Sequence, residues 1–247
     1  MKTGELSSRA ILALLALLFL LGCSDALEGA TAFTHVHLLP MTGERILENH
    51  TVLVEGTTIV AVGRSGAVRI PDGTHVIDGD GAYLMPGLAD MHMHTRRDGD
   101  DQDVWPVHPL HLYLANGVTT VRDFAPHGSP LIYALQWRDD VRAGTRDGPT
   151  IYASGKLLYS SPLDDPAGMV RRNHELGFDF LKLYSYLSPE DFHDALAAAK
   201  ELGMYSSGHI PYAVGLEGVL REGMDEVAHV EELLPEFIAY DRNGDLT

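Results

Sequence analysis

Cysteine is nearly absent from this chain, and the single one, Cys23, excludes an internal disulfide framework. Positive charge is scarce as well. Lys and Arg number 18 against 35 Asp and Glu, a formal net charge of −17, which leaves no basic face to neutralise phosphates. Nucleic acid is therefore not an expected partner. No apolar run reaches the ~18 residues that span a bilayer as a helix. No short-period repeat and no low-complexity tract follows the leader. What is present suits a folded enzyme: 45% hydrophobic residues, enough for a sizeable core, and 13 histidines.

The longest apolar run, from Ala10 to Leu21, has the length of a signal-peptide core and follows Lys2 and Arg9. It ends in Leu20-Leu21-Gly22-Cys23, after which Ser24-Asp25 turns polar. This resembles a bacterial lipobox, which implies removal of residues 1–22 and lipidation of Cys23. The expected localisation is then an exported lipoprotein, anchored to the cell-envelope membrane on the periplasmic side of the outer membrane. A plain signal peptide with an incidental cysteine is the alternative. Residues 23–31 read as a linker.

Residues 32–86 read as short strands and turns. Segments 35–39, 51–55, 58–62 and 74–78 are rich in Val, Ile and Thr, and Glu55-Gly56-Thr57 suits a tight hairpin. After Pro86-Gly87 the rhythm becomes strand, loop, helix. Strands are predicted at 88–94, 118–124, 150–154, 179–185, 205–209 and 226–230. Helices are predicted at 109–116, 130–143, 165–176, 189–202 and 213–222. The helix from Pro189 carries Glu190 and Asp191 in its first turn and Gly203 just past its end. Strands alternating with helices imply a parallel sheet with crossover helices. Six such steps extrapolate to eight within about 215–250 residues, the size of a (β/α)8 TIM-type barrel, of which about six strands lie in residues 87–247. An open doubly wound sheet is the competing architecture.

At this histidine density roughly one His-x-His arises by chance, so the bare motif is weak. His35-Val36-His37 is that chance pair, on a strand with no partners nearby. His92-Met93-His94 closes the first barrel strand, where residues two apart share a face and both imidazoles turn to one side. Further ligands must come from other strand ends. Lys182 sits inside the apolar strand Phe178-Asp179-Phe180-Leu181-Lys182-Leu183-Tyr184, where a lone charge is costly. His209 ends the next strand and His229 the one after. Singly, each has a bland reading as a packed or surface residue. Together, successive strands end in candidate ligands on the face where barrel active sites form.

The order Pro-Gly-Leu-Ala-Asp-Met-His-Met-His at 86–94, Phe-Leu-Lys-Leu-Tyr at 180–184, Gly-His-Ile-Pro at 208–211 and Val-Ala-His-Val-Glu at 227–231 resembles the amidohydrolase superfamily. Within it, the imidazolonepropionase-like and Xaa-Pro dipeptidase-like enzymes are the most similar. Segments 49–54 and 77–79 resemble that family's N-terminal β-sandwich, and 114–123 its second barrel strand. The resemblance implies two divalent metal ions, zinc being the expected metal. His92 and His94 would hold the first, His209 and His229 the second, and a carboxylated Lys182 would bridge both. A metal-bridging hydroxide would then attack an amide or peptide C–N linkage in a small substrate such as a dipeptide or cyclic amide. Tyr184 and Arg122 are the candidate substrate contacts; a core tyrosine and a structural ion pair are their bland readings. The family's general acid/base aspartate, on the eighth strand, has no counterpart in residues 1–247, so the chain reads as C-terminally truncated. Asp241-Arg242-Asn243-Gly244-Asp245 is a polar turn rather than a calcium loop. A non-catalytic metal-binding lipoprotein and a lactone or ester hydrolase are the other functional readings.

Overall fold

The computed structural model describes residues 29–97, 109–124, 127–128 and 133–234. The leader with Cys23, the start of the helix predicted from residue 130, and the turn at 241–245 lie outside the described residues. The chain divides between Pro86 and Gly87 into two compact units.

The first unit holds β1 (Ala30–Leu38), β2 (Leu47–Glu55), β3 (Thr58–Arg64), β4 (His75–Asp78) and β5 (Tyr83–Leu84) in one sheet ordered β3-β2-β1-β4, with β5 beside β1. The predicted hairpin joins β2 to β3, with Glu55 opposite Thr58 and Gly56 at φ 55°. That backbone region favours glycine, which lacks a Cβ to clash. Alternation in β1 buries Ala30, Ala32 and Val36, and Leu53 of β2 packs against the two alanines. Among the described residues this unit is a single layer; Ile59, Val62, Val76 and Tyr83 remain exposed, and no second sheet completes a sandwich.

The second unit begins with β6 (Leu88–Met93) and the two-residue β7 (Arg96–Arg97). Then follow α1 (Pro109–Ala115), β8 (Val118–Asp123), β9 (His127–Gly128), α2 (Tyr133–Arg142), β10 (Thr150–Ala153) and β11 (Leu158–Ser160). The remainder is α3 (Pro166–Glu175), β12 (Phe180–Tyr186), α4 (Pro189–Glu201), β13 (Tyr205–Gly208), α5 (Gly215–Glu222), β14 (Glu226–Val227) and a 3-10 turn, Val230–Leu233. Pairing is parallel throughout, in the orders β10-β8-β6 and β11-β12-β13-β14, and a parallel bridge from Ser154 to Phe180 links the two sets. Leaving aside the short pair β7 and β9, the strands of both sets lie side by side in chain order. An open doubly wound sheet reverses its order at a switch point; no reversal occurs here. The third predicted strand is β10, and a three-residue strand that was not predicted, β11, follows it; β10 pairs with β8 and β11 with β12.

Helix ends follow their chemistry. Asp165 caps α3 by accepting from the Gly168 amide at 2.8 Å, and Ser188 caps α4 by accepting from Asp191 at 3.2 Å. The core lies between strands and helices: Val121, Leu158, Leu181 and Leu183 from the sheet meet Val170, Phe192, Leu196 and Val219 from the helices. With one sheet face packed on helices, the other face carries Lys182 and the histidines. No closed barrel is present among the described residues, yet the sheet curls. His92, ending the first strand, brings its ring within 4.6 Å of His229, just past the last.

Candidate metal centre

Four imidazoles converge at the C-terminal ends of the parallel strands. His92 and His94 project from β6 and the residue after Met93, with ring centroids 5.1 Å apart; His92 lies 4.6 Å from His229, and His229 lies 4.5 Å from His209. The Phe124 ring stacks beneath His92 at 4.1 Å. Strand geometry does this: β6 exposes alternate residues on one side, while His209 still belongs to the ladder through its amide bond to Leu183 O at 3.1 Å. Gly208 makes that approach possible. A Cβ there would sit 2.1 Å from the Leu183 carbonyl oxygen, so only glycine brings β13 this close to β12.

The last predicted strand is shorter than expected. β14 ends at Val227, Ala228 still donates to Gly208 O at 2.8 Å, and His229 opens the 3-10 turn in extended conformation. That turn carries Glu232 back to the site. Its carboxylate accepts from His209 Nδ1 and from the Ile210 amide. His209, His229 and Glu232 bring possible ligand atoms within 4.8 Å of one another. The sequence reading missed Glu232 because a 3-10 turn leaves no hydrophobic periodicity. A carboxylate on Nδ1 directs the other ring nitrogen, as a free electron pair, toward the site.

Lys182 lies beside the cluster, close enough for its charge to act on His92 and His209. The residue is 3% exposed, and its Nζ has no hydrogen-bond partner; it stands 4.7 Å over the Phe124 ring. Burial pulls its ammonium down to about 8, against the opposing pull of Glu232 and Glu226. Burial, helped by Lys182 and the neighbouring imidazoles, pushes His92 down to about 4, and burial also lowers His209. Both imidazoles are therefore inclined to the neutral, ligand-competent form at neutral pH, and Lys182 gains a neutral fraction of roughly a tenth there. An orphaned buried amine beside imidazoles and a carboxylate is a donor set that fits divalent metal, and zinc in particular.

The two candidate substrate residues separate. Tyr184, two residues beyond Lys182, faces His209 at a centroid distance of 4.1 Å, and burial raises its phenol so that it stays protonated. Arg122 instead forms the ion pair. Its guanidinium donates to both Glu226 oxygens at 2.7 and 2.6 Å, donates from Nε to Met91 O at 2.8 Å, and lies 4.4 Å over Phe124. Glu226 is correspondingly held below the usual carboxylate range by that pair. Behind His94, Thr95 donates its amide to buried Asp123 at 3.3 Å and its hydroxyl to the same carboxylate, with Tyr133 Oη at 2.8 Å from Thr95 Oγ1. By contrast, His35 turns to Asp78 at 3.0 Å from a left-handed residue at φ 51°, and His37 packs on Tyr83.

No protein-family model matches the chain. It is 28% identical over 156 residues to an imidazolonepropionase of Pseudomonas savastanoi pv. phaseolicola, covering 60% of this chain and 38% of that one. It is 30% identical over 140 residues to an ochratoxinase of Aspergillus niger, covering 49% and 27%. A dihydroorotase of Bacillus pumilus is 37% identical over 65 residues, 26% of this chain and 14% of its own. The chain spans well under two thirds of the length of these relatives. Among solved structures, a Xaa-Pro dipeptidase with bound methionine superposes with TM-score 0.64 at 20% identity, over 83% of this chain and 64% of that one. A prolidase from Bifidobacterium longum, described as putative, gives 0.65 at 24%, over 87% and 58%. At those identities the likeness shows the fold. The relatives and structural neighbours of this chain are members of the amidohydrolase superfamily, the family that its motifs resemble.

Proposed function

We propose that this protein is a metal-dependent amidohydrolase that hydrolyses amide or peptide C–N bonds of small substrates, such as dipeptides or cyclic amides. One observation carries the reading: a buried lysine amine without a hydrogen-bond partner beside four converging imidazoles at the strand ends, its charge acting on His92 and His209. Relatives named imidazolonepropionase, dihydroorotase and Xaa-Pro dipeptidase support the reaction class.

His92 and His94 would hold one divalent ion, and His209 and His229 a second, with zinc the expected metal. When bound, such ions supply Lewis acidity and a nucleophilic water at neutral pH. The chain's own groups prepare for this. The neutral fraction of Lys182, roughly a tenth at pH 7 for an ammonium near 8, can add its nitrogen lone pair to dissolved carbon dioxide. The new N–C bond gives a carbamate, and the displaced N–H proton passes to water. The product has one negative charge shared by two oxygens where a buried amine without a hydrogen-bond partner stood. Glu232 fixes the His209 ring by accepting from Nδ1. Tyr184, kept protonated, presents a hydroxyl donor to a substrate carbonyl or carboxylate beside the cluster. The leader and Cys23 make the enzyme an exported lipoprotein in this reading, with membrane contact through the lipid.

The test is hydrolysis of a panel of Xaa-Pro and other dipeptides, cyclic amides and lactones by the zinc-loaded protein. Cleavage of C–N substrates, abolished at least 100-fold by Lys182→Ala, is expected. Turnover of lactones alone would move the assignment to C–O bonds, and inactivity on the whole panel with metal bound would favour a binding protein.

A further inference from the structure

From His209 the row of rings continues into four tyrosines. Tyr184 lies 4.1 Å from His209, Tyr159 stacks on Tyr184 at 4.7 Å with an interplanar angle of 22°, Tyr186 lies 5.5 Å from Tyr159, and Tyr212 meets Tyr186 edge-on at 5.6 Å. They come from three separate places: Tyr159 from β11, Tyr184 and Tyr186 from β12, and Tyr212 from the loop after β13. That loop is tied to β12, since the Tyr212 amide donates to Ser185 O at 3.0 Å.

We propose that Tyr159, Tyr184, Tyr186 and Tyr212 form a stacking platform for a neutral planar ring that the substrate carries beside its scissile C–N bond. The proposal rests on the hydrolase reading above and names the substrate class within it. Four of the chain's 10 tyrosines gather at this one patch. Tyr159 is 49% exposed, Tyr186 51% and Tyr212 76%, so the rings offer faces to a ligand rather than filling a core. Core packing alone would not keep large rings this open. Their position favours one side of the substrate: a carbonyl held at the imidazoles leaves a neighbouring ring toward Tyr184, the tyrosine in contact with His209, with Tyr159 stacked on it. A tyrosine wall attracts a planar ring through offset or edge-to-face contact, and its hydroxyl edges stay hydrated. Glu232, next to His209, disfavours an anionic ring at the same place.

The platform is tested with two amides of nearly equal bulk, N-acetyl-L-phenylalaninamide and N-acetyl-L-cyclohexylalaninamide. Binding of each to the full zinc-loaded chain is measured by calorimetry, and hydrolysis is followed in parallel. The phenyl compound should bind roughly fivefold tighter, because only it has a π face to stack. Tyr159→Ala with Tyr186→Ala should bring the two affinities to parity, while the Tyr→Phe pair, which keeps the rings, should retain the preference. Equal affinities in the unmodified protein, a preference that survives the alanine pair, or no binding of either amide at millimolar concentration would overturn the platform. A binding preference together with inactivity on these amides and on the whole dipeptide, cyclic-amide and lactone panel would overturn the hydrolase reading and leave the platform standing; hydrolysis without preference would do the reverse.

Discussion

Two buried ionisable residues, Lys182 and Asp123, stand a few strands apart and face opposite problems. Lys182 has no partner and a lowered ammonium. Asp123 is 0% exposed and accepts two hydrogen bonds from Thr95, yet burial outweighs them and pushes its carboxyl up to about 7. A carboxyl whose folded pKa lies above its unfolded value of 3.8 favours the fold while protonated. That contribution is complete below about pH 4 and is lost as pH rises through about 7, on the order of a few kcal/mol. Asp123→Asn should therefore flatten the pH dependence of the urea midpoint between about pH 4 and 7; an unchanged slope would show that Asp123 does not titrate in that window. Of these residues the sequence made Lys182 legible, because one charge in an apolar strand stands out. Asp123 was hidden, since an acid at a strand end looks solvated until its neighbours close over it.

At the scale of elements, the pair Arg122–Glu226 joins β8 to β14, strands that share no backbone pairing. With side chains 11% and 28% exposed, the pair is largely removed from water. Removing either partner leaves the other charge uncompensated, at about 2–4 kcal/mol. Arg122→Ala and Glu226→Ala should each lower stability by that amount, and the double variant by far less than the sum, as a denaturation cycle would show. If Arg122 instead held a substrate carboxylate, its loss would raise KM with stability unchanged. Gly208→Ala should be comparably severe, because its Cβ would strike the Leu183 carbonyl and push His209 off the site; full zinc binding by that variant would contradict this role. Five predicted helices and the order of the main strands were readable from Pro and Gly punctuation and from apolar periodicity. The short strand β11 and the 3-10 turn bearing Glu232 were not, since both depend on partners distant in sequence. Nor does periodicity tell which acid will meet Arg122.

For the whole molecule, the parallel succession was implied by strand–helix alternation, which an open doubly wound sheet would share; the described residues show that succession in chain order without a closed barrel. The N-terminal unit was legible as strands and turns; its single-layered form was not, because alternation in a short strand does not tell which face finds a partner. Localisation rests on the leader. Cys23→Ser should abolish incorporation of labelled palmitate and release the protein from the membrane fraction; unchanged membrane association would refute the lipid anchor.

The central claim is that His92, His94, Lys182, His209 and His229 form one metal centre, and metal stoichiometry tests it most directly. Elemental analysis of the purified full chain after zinc loading and dialysis should give two ions per chain. Lys182→Ala and His209→Ala should each lose at least one ion while circular dichroism stays unchanged. Retention of both ions in the Lys182→Ala and His209→Ala variants, or no zinc in the unmodified protein, would contradict the account.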